Sequence, residues 1–304
     1  MKKDLLRILD LTDREIMSLI ASGAKWKRSG GKKNAPRPLA GKSLAMIFEK
    51  ASTRTRVSFE AGMCRLGGHA IFMAPGYTQI GRGEPIRDTA RVLSRYVDAV
   101  MIRTFAHAIA AELAEAASVP VVNGLTDDHH PCQILADLMT AKERGKDLRK
   151  MRVAFIGDGN NVANSWVEAA HVLGFKLVVA CPSGYEPNAE IVKEAEVIGR
   201  GDVRITRDPQ EAARNADVLY TDVWMSMGQE SEVKRRRTAF KDYRIDAGLL
   251  RRSARDAIVM HCLPAHRGEE ITEEVLEGPS SVVFDEAENR MHIQMAVLEK
   301  LIKH

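Results

Sequence analysis

Hydroxyl and guanidinium side chains are concentrated in one short stretch of the sequence, EKASTRTRVSFE at residues 49–60. The hydroxyls belong to Ser52, Thr53 and Thr55. Arg54 and Arg56 stand among them, directly before an apolar pattern of helical spacing. A helix N-terminus carries partial positive charge, so arginine is mildly unfavourable there unless an anion binds. Free N–H groups, hydroxyls and Arg54 could hold a phosphate, although a hydroxyl-capped helix with exposed arginines has the same pattern.

Polar side chains also follow two later apolar runs of the first half. Arg103 closes AVMIR and could reach the same anion or form an interfacial ion pair. His130 and Gln133 lie three residues apart at the start of a helical pattern, so they share a face. An imidazole there could polarise a carbonyl and an amide could hold an NH₂ group, or both could only cap and pack the helix. This helix has no second histidine or carboxylate at metal-ligand spacing, so no metal is predicted.

The second half offers amides, a carboxylate and a thiol. GDGNNVANSW resembles a dinucleotide turn, but it lacks the third glycine and the acidic residue about 20 positions later, which disfavours a nicotinamide cofactor. We instead predict that Asn160 and Asn161 expose their amides to a small polar molecule. Asp222 could meet a cation or cap the next helix, and a mobile loop is predicted after it. In HCLP, Cys262 is predicted at a strand tip, as a ligand contact or a buried thiol.

The elements that position these residues alternate between strand and helix. Strands are predicted at 43–48, 69–73, 99–103, 119–122, 152–156, 176–180, 202–206, 217–221, 257–261 and 281–284. Nearly continuous apolar strands separated by helices are typical of parallel sheets covered on both faces. The prediction is therefore an α/β protein with two open parallel-sheet domains, 1–145 and 146–287, with the helical stretch 288–304 packing back on the first. Ligands of such sheets bind beyond the carboxyl ends of the strands.

Composition excludes several classes of function. The chain has 304 residues, 45% of them hydrophobic and 28% charged, and a net charge of +4, which suits a small anionic substrate better than nucleic acid. The basic run 234–237 is interpreted as a solvated helix face. Four scattered cysteines without metal spacing indicate reduced thiols, and neither a signal peptide nor an apolar run of membrane-spanning length is present. A cytoplasmic protein without membrane or nucleic-acid partners is expected.

Together, the strand-end residues fit a phosphorylated acyl-type donor on the first domain and a cationic amine on the second. A crevice between the domains would bring the two together for group transfer without a metal or organic cofactor. Catalysis would depend on orientation and on charge stabilisation of a tetrahedral oxyanion.

Several motifs resemble the ornithine carbamoyltransferase family over the full length of the chain and in the family's order. They are FEKASTRTRVSFE, IRTF, HHPCQILADL, GDGNNVANSW, DVWMSMG, HCLPAHRGEE and FDEAENR. The resemblance implies a carbamoyl phosphate domain and a Rossmann-like ornithine domain, with no cofactor. It also implies transfer of the carbamoyl group to the δ-amine of L-ornithine, which gives L-citrulline and phosphate, a step of arginine metabolism.

The resemblance also implies a role for each matched residue. The phosphate would be held by Ser52, Thr53, Arg54, Thr55 and Arg103. The carbonyl oxygen would contact Arg103 and His130, while the rest of the carbamoyl group would contact Gln133, Arg290 and the backbone carbonyls of Cys262 and Leu263. The amino-acid head of ornithine would bind Asn161, Asp222, Ser226 and Met227. Asp222 and Cys262 would help to present a neutral δ-amine.

The family is a homotrimer with sites at subunit junctions, so the resemblance implies that Gln79 reaches a neighbour's phosphate site. Other acceptors of the same chemistry remain open, namely putrescine, an N-acylated ornithine and aspartate. Outside that chemistry, a nicotinamide-dependent oxidoreductase and a phosphate-binding module without turnover remain as alternatives.

Overall fold

The computed structural model describes residues 2–30, 36–74, 83–225 and 232–303. The chain divides into two compact units, Met1–Met139 with Glu288–His304 and Thr140–Ala287. In chain order the elements are α1 (Asp13–Ser29), β1 (Ser43–Phe48), α2 (Thr53–Arg65), β2 (His69–Met73), α3 (Ile86–Leu93), β3 (Ala99–Arg103), α4 (His107–Ala116), β4 (Val121–Leu125), α5 (Pro131–Glu143), β5 (Arg152–Ile156), α6 (Asn161–Leu173), β6 (Lys176–Ala180), α7 (Ala189–Glu196), β7 (Asp202–Thr206), α8 (Pro209–Ala213), β8 (Val218–Thr221), α9 (Val233–Phe240), α10 (Ala247–Leu250), β9 (Ile258–His261), α11 (Glu273–Leu276) and α12 (Val283–Ile302).

The first unit contains a four-stranded parallel sheet in the order β2-β1-β3-β4. Strands β1 and β3 lie side by side although β2 separates them in the chain, which makes their junction the switch point of the sheet. Phe48 at the end of β1 is in register with Arg103 at the end of β3. The residues that follow these two strands are therefore neighbours at one edge of the sheet.

The second unit contains a five-stranded parallel sheet in the order β7-β6-β5-β8-β9. Here the switch point lies between β5 and β8. The core of this unit contains an aromatic cluster, in which Phe155 stacks on Tyr220 at 5.6 Å between ring centroids and Trp166 meets the Tyr220 ring edge-on at 5.4 Å. Both units thus have the predicted α/β fold with all-parallel sheets.

Cap residues fix where two of the long helices begin and end. Thr12 accepts from the Glu15 N–H and the Glu15 carboxylate accepts in return, so a capping box starts α1. Asn160 caps α6 by accepting from the N–H groups of Val162 and Ala163. Left-handed glycines at Gly30 and Gly174 end these helices. Within the described part of the chain, no helix is long and apolar enough to cross a membrane.

Nine of the predicted strands are confirmed, six of them with the predicted bounds. The prediction of a strand at 281–284 is wrong. Ser281 forms only an isolated bridge with Val259, and Val283 already begins α12. The β-branched run packs its first turn into the core instead, with Val283 only 1% exposed, because tertiary burial outweighs local strand propensity.

Candidate active site

The start of α2 has features that favour an anion at a helix N-terminus. Ser52 caps the helix by accepting from the Thr55 N–H at 3.1 Å, and the first turn contains no acidic residue. The remaining N–H groups of the turn point away from the helix, along with its partial positive charge. Ser52 is half-buried and Thr53 is exposed, so both hydroxyl side chains lie at the surface of this end.

The two arginines of this turn have different surroundings. Arg56 forms an ion pair with Glu60 one helical turn later, and its guanidinium lies 3.7 Å from the centroid of the Phe72 ring. Arg54 is half-buried, and its positive charge helps to lower the pKa of His130. The charge of Arg54 therefore acts on His130, whereas Arg56 contacts its own helix and strand β2.

Thr55 lies at the centre of a buried cluster of cations. Its Oγ1 atom accepts hydrogen bonds from Arg290 at 2.7 Å and from Arg103 at 3.4 Å, and all three residues are at least 93% buried. Arg103 is held in place from its backbone, since its carbonyl oxygen accepts from the Glu49 N–H at 2.8 Å. Because two guanidinium groups share one neutral hydroxyl, the cluster is electrostatically suited to a bound anion.

His130 is a neutral imidazole in this cluster. Burial lowers its pKa well below the ordinary value of 6.5, and the positive charges of Arg290, Arg103 and Arg54 lower it further. A neutral ring can donate one hydrogen bond to a carbonyl oxygen without carrying charge. Gln133, on the same helix α5, is completely buried and donates through Nε2 to the Asp137 carboxylate at 2.8 Å.

Lys50 is a buried cation outside the set of site residues predicted from the sequence. Its ammonium pairs with the Asp127 carboxylate and lies 4.4 Å from the centroid of the Phe105 ring. Asp127 and Phe105 follow β4 and β3, so Lys50 joins the chain before α2 to both of these strand ends. The sequence signal was weak, because a lysine between a strand and a helix is usually solvated.

In the second unit, the carboxylate of Asp222, directly after β8, accepts three hydrogen bonds. Its Oδ2 atom accepts from Asn160 Nδ2 at 2.7 Å, and its Oδ1 atom accepts from the Val223 N–H at 2.8 Å and the Cys262 thiol at 2.9 Å. Asp222 is only 7% exposed and does not cap α9, which begins eleven residues later at Val233. The structure therefore brings together the acid, amide and thiol that were predicted at three separate strand ends.

The prediction of two exposed amides is only partly correct. Asn160 is half-buried, and its side chain is used for capping α6 and for holding Asp222. Asn161 is 9% exposed, since every residue of α6 is buried. Local sequence could not predict how far these two side chains are buried, because the burial of an amide depends on what packs against the helix.

The backbone at Leu263 is fixed by a buried histidine. Leu263 has a left-handed φ of 58°, which is strained for a leucine. Its N–H donates to His261 Nδ1 at 2.8 Å, and His261 Nε2 lies 3.1 Å from the Glu270 carboxylate. Because Nδ1 accepts, Nε2 carries the proton and donates to Glu270. This pair holds the turn whose carbonyl groups were predicted to face a ligand.

Donor atoms of Asp222, His261 and Cys262 lie within 4.8 Å of one another, as in a metal site. Each atom already has a hydrogen-bond role, because the thiol donates to Asp222 and both nitrogens of His261 are engaged. The arrangement is therefore explained without an ion, and the absence of a metal stays a prediction.

The GDGNN turn uses its second glycine for packing. A Cβ atom on Gly159 would lie 2.2 Å from backbone atoms of Glu186 and Pro187. In a dinucleotide site the glycine at this kind of position lets the pyrophosphate approach, but here the chain itself fills the space. This observation favours the amide role of the turn over a nicotinamide cofactor.

Arg236 is the main departure from the sequence interpretation of the second unit. The run 234–237 lies on helix α9, but Arg236 is only 7% exposed rather than solvated. It donates to the Asp158 carboxylate and to the Trp224 carbonyl, both at 2.9 Å, and its guanidinium lies 4.9 Å from the Tyr185 ring centroid. One side chain therefore connects the loops that follow β5, β6 and β8.

We expect the Arg236→Met variant to be destabilised more at pH 7.5 than at pH 5. Burial raises the pKa of Asp158 from 3.8 to about 6, and Arg236 limits the rise. This carboxyl therefore stabilises the fold when protonated, and its contribution is lost as the pH rises through about 6. Without Arg236 the pKa of Asp158 rises further, so at pH 7.5 the variant must take up a proton or bury an unpaired charge, which lowers the free energy of unfolding by about 2 kcal/mol more than at pH 5.

Urea denaturation at the two pH values measures this difference. The matched control is Arg235→Met, which removes an exposed arginine of the same helix and should change stability by less than about 0.5 kcal/mol. An equal destabilisation of Arg236→Met at both pH values would show that the ion pair with Asp158 is not what the variant loses.

Three predicted site residues, Gln79, Ser226 and Met227, lie outside the described residues. Of the others, the first unit brings together Thr55, Arg103, His130 and Arg290 with the start of α2. The second unit brings together Asn160, Asp222 and Cys262.

Two parallel sheets with polar clusters beyond their strand ends define a class of two-domain α/β proteins. Models of known families show which family of this class the chain matches. Residues 3–143 match the carbamoyl-P binding domain of aspartate/ornithine carbamoyltransferase, and residues 149–301 match its Asp/Orn binding domain. The chain belongs to the aspartate/ornithine carbamoyltransferase family.

Individual relatives are similar over nearly their whole length. An ornithine carbamoyltransferase of Methanoculleus marisnigri is 58% identical over 302 residues, covering 99% of this chain and 97% of the relative. The anabolic ornithine carbamoyltransferase of Pseudomonas aeruginosa is 54% identical, with 98% of this chain and 97% of the relative covered. The solved ornithine carbamoyltransferase of Pyrococcus furiosus superposes with a TM-score of 0.93 at 49% identity, covering 97% of this chain and 95% of that chain.

Proposed function

We infer that this protein transfers the carbamoyl group of carbamoyl phosphate to the δ-amino group of L-ornithine, giving L-citrulline and phosphate. Both domains of the family and relatives above 50% identity support this function. The structural observation that carries it is the buried Thr55 hydroxyl, which accepts from Arg103 and Arg290 beside a neutral His130. A cationic cluster with a neutral carbonyl-polarising donor fits a phosphorylated acyl donor.

We propose that the donor binds to the first unit through its phosphate. The start of α2 supplies N–H groups and hydroxyls, and Arg54 and Arg103 supply charge. The phosphate ligands are then Ser52, Thr53, Arg54, Thr55 and Arg103, with Gln79 from a neighbouring subunit. Arg103 and His130 contact the carbonyl oxygen, while Gln133, Arg290 and the backbone carbonyls of Cys262 and Leu263 hold the rest of the carbamoyl group.

The acceptor is proposed to bind to the second unit. The Asp222 carboxylate, fixed by Asn160 and Cys262, is a counter-ion for the α-ammonium group of an amino acid. Asn161, Ser226 and Met227 complete the contacts with the amino-acid head. A putrescine acceptor would lack the head that these residues hold, and an N-acylated ornithine would lack the free α-ammonium.

The transfer itself needs no covalent enzyme intermediate in this proposal. The lone pair of the neutral δ-nitrogen attacks the carbonyl carbon and forms a tetrahedral oxyanion. Arg103 and His130 stabilise the negative charge on its oxygen. The bond from carbon to the phosphate oxygen then breaks, phosphate leaves with the bonding electrons, and the nitrogen gives its extra proton to the departing phosphate.

We further propose that the protein acts as a cytoplasmic homotrimer. Val57 on α2 and Ile71 on the edge strand β2 are apolar side chains that are 54% and 42% exposed in the single chain. An exposed edge strand beside apolar side chains is suited to burial against another copy. The four cysteines are free thiols, which supports a reducing compartment.

The acceptor assignment is tested by turnover with purified protein. Carbamoyl phosphate is supplied with L-ornithine, N-acetyl-L-ornithine, putrescine or L-aspartate in parallel, and both phosphate and carbamoylated product are measured. We expect rapid turnover with L-ornithine alone. Turnover with another acceptor would support the proposed donor site but contradict the proposed role of Asp222. Phosphate binding without turnover of any acceptor would indicate a binding protein rather than an enzyme.

A further inference from the structure

The buried side chain of Asp137 has no role in the function proposed above, although it contacts a residue that has one. Asp137 and Gln133 lie one turn apart on α5, and both are completely buried. Gln133 Nε2 donates to Asp137 Oδ1 at 2.8 Å. A glutamine–aspartate pair at this spacing is a favourable helix contact, but full burial makes its orientation much more costly to change.

The contact selects one of two orientations of the Gln133 amide. A primary amide has an accepting oxygen and a donating NH₂ group at nearly the same distance from its carbon, so it can present either end. A carboxylate oxygen accepts hydrogen bonds, and Asp137 therefore holds the NH₂ end of Gln133. The carbonyl oxygen of Gln133 is turned away from Asp137 as a result.

We propose that Asp137 is a positioning residue that makes Gln133 a hydrogen-bond acceptor for the NH₂ group of the donor substrate. The proposal rests on the function proposed above, in which Gln133 contacts the carbamoyl group. It extends that function to substrate choice, because the carbamoyl NH₂ can donate to an oriented oxygen whereas a methyl group of similar size cannot. The pair would thus favour carbamoyl phosphate over acetyl phosphate.

The variant Asp137→Asn tests this inference, because it keeps the size of the side chain and allows the Gln133 amide to reverse. We expect the dissociation constant of carbamoyl phosphate to rise about 5-fold, the effect of losing one typical neutral hydrogen bond. The inhibition constant of acetyl phosphate, measured in competition with carbamoyl phosphate, should stay within about twofold. Glu143→Gln is the matched control, since it removes an exposed carboxylate of the same helix.

A double-mutant cycle with Gln133→Met separates positioning from a general structural effect. If Asp137 acts through Gln133, adding Asp137→Asn to Gln133→Met should not change the preference for carbamoyl phosphate over acetyl phosphate any further. Equal weakening of both ligands by Asp137→Asn, or full additivity in the cycle, would overturn the proposal. So would an unchanged affinity for carbamoyl phosphate.

The wild-type protein distinguishes failure of this inference from failure of the proposed function. Absence of carbamoyl phosphate binding by the wild-type protein would overturn both. A wild-type protein that binds and turns over carbamoyl phosphate, with an Asp137→Asn variant of unaltered preference, would overturn only the role of Asp137.

Discussion

Replacing His130 by asparagine is expected to lower kcat by about 10²- to 10³-fold, the usual loss when one donor to a developing oxyanion is removed. The effect should fall on kcat more than on the KM for carbamoyl phosphate, because the donor becomes important only when negative charge develops on the oxygen. Steady-state kinetics with L-ornithine measures both constants. The control is His69→Asn, which alters an exposed histidine of β2.

The pH dependence should keep its shape in the His130→Asn variant. Burial and three neighbouring arginines hold the pKa of His130 well below 6.5, so this ring is already neutral at pH 6–9. The group that must lose a proton is the acceptor amine, whose unperturbed pKa is about 10. Activity should therefore rise with pH across the neutral and alkaline range in both proteins. A limb near pH 6.5 that disappears in the variant would contradict a neutral His130.

Replacing Arg54 by alanine should raise the KM for carbamoyl phosphate about 10- to 150-fold, which corresponds to the loss of a charged hydrogen bond of about 1.5–3 kcal/mol. Arg54 stands in the first turn of a helix whose N-terminus carries partial positive charge, so a bound anion is favoured beside it. The fold should persist, since Arg54 is only half-buried and lies on α2, outside both sheets. Circular dichroism and the melting temperature check that condition.

The neighbouring arginine provides the matched control for Arg54→Ala. Arg56→Ala removes the same charge two residues away, but Arg56 contacts Glu60 and the Phe72 ring. Its KM for carbamoyl phosphate should therefore change by less than about threefold, as for a surface ion pair. Equal effects of the two variants would mean that net charge, rather than the position of Arg54, governs donor affinity.

Periodicity was sufficient to predict the fold class and most of the strands. Runs such as SLAMIF and RVAFI are apolar throughout, and the strands Ser43–Phe48 and Arg152–Ile156 have the predicted bounds. The run SVVF has the same character but begins a helix, because its burial is satisfied by packing at Val283. Local composition cannot distinguish these outcomes when the deciding contacts are distant in sequence.

Most polar residues of the candidate site could be predicted because they follow the carboxyl ends of parallel strands, but their hydrogen-bond partners could not. Thr55 and Arg290 are 235 positions apart, and nothing in either motif indicates that their side chains are 2.7 Å apart. Arg236 and Asp137 were missed for opposite reasons. The first looked like part of a solvated basic run, and the second lies inside an apolar helix pattern where a carboxylate has no local signal.

The molecule has two switch points, one in each sheet, and a different set of polar residues lies near each of them. The chain after β1, β3 and β4, together with helix α12, carries the cationic cluster with His130, and the loops after β5, β8 and β9 carry the acid, amide and thiol. Since each sheet is buried independently of the loops at its edge, the loops can diverge while the cores are retained. Under the function proposed above, redesign toward a new amine would need changes in the connections of the second sheet, while the first sheet and its cationic cluster are kept.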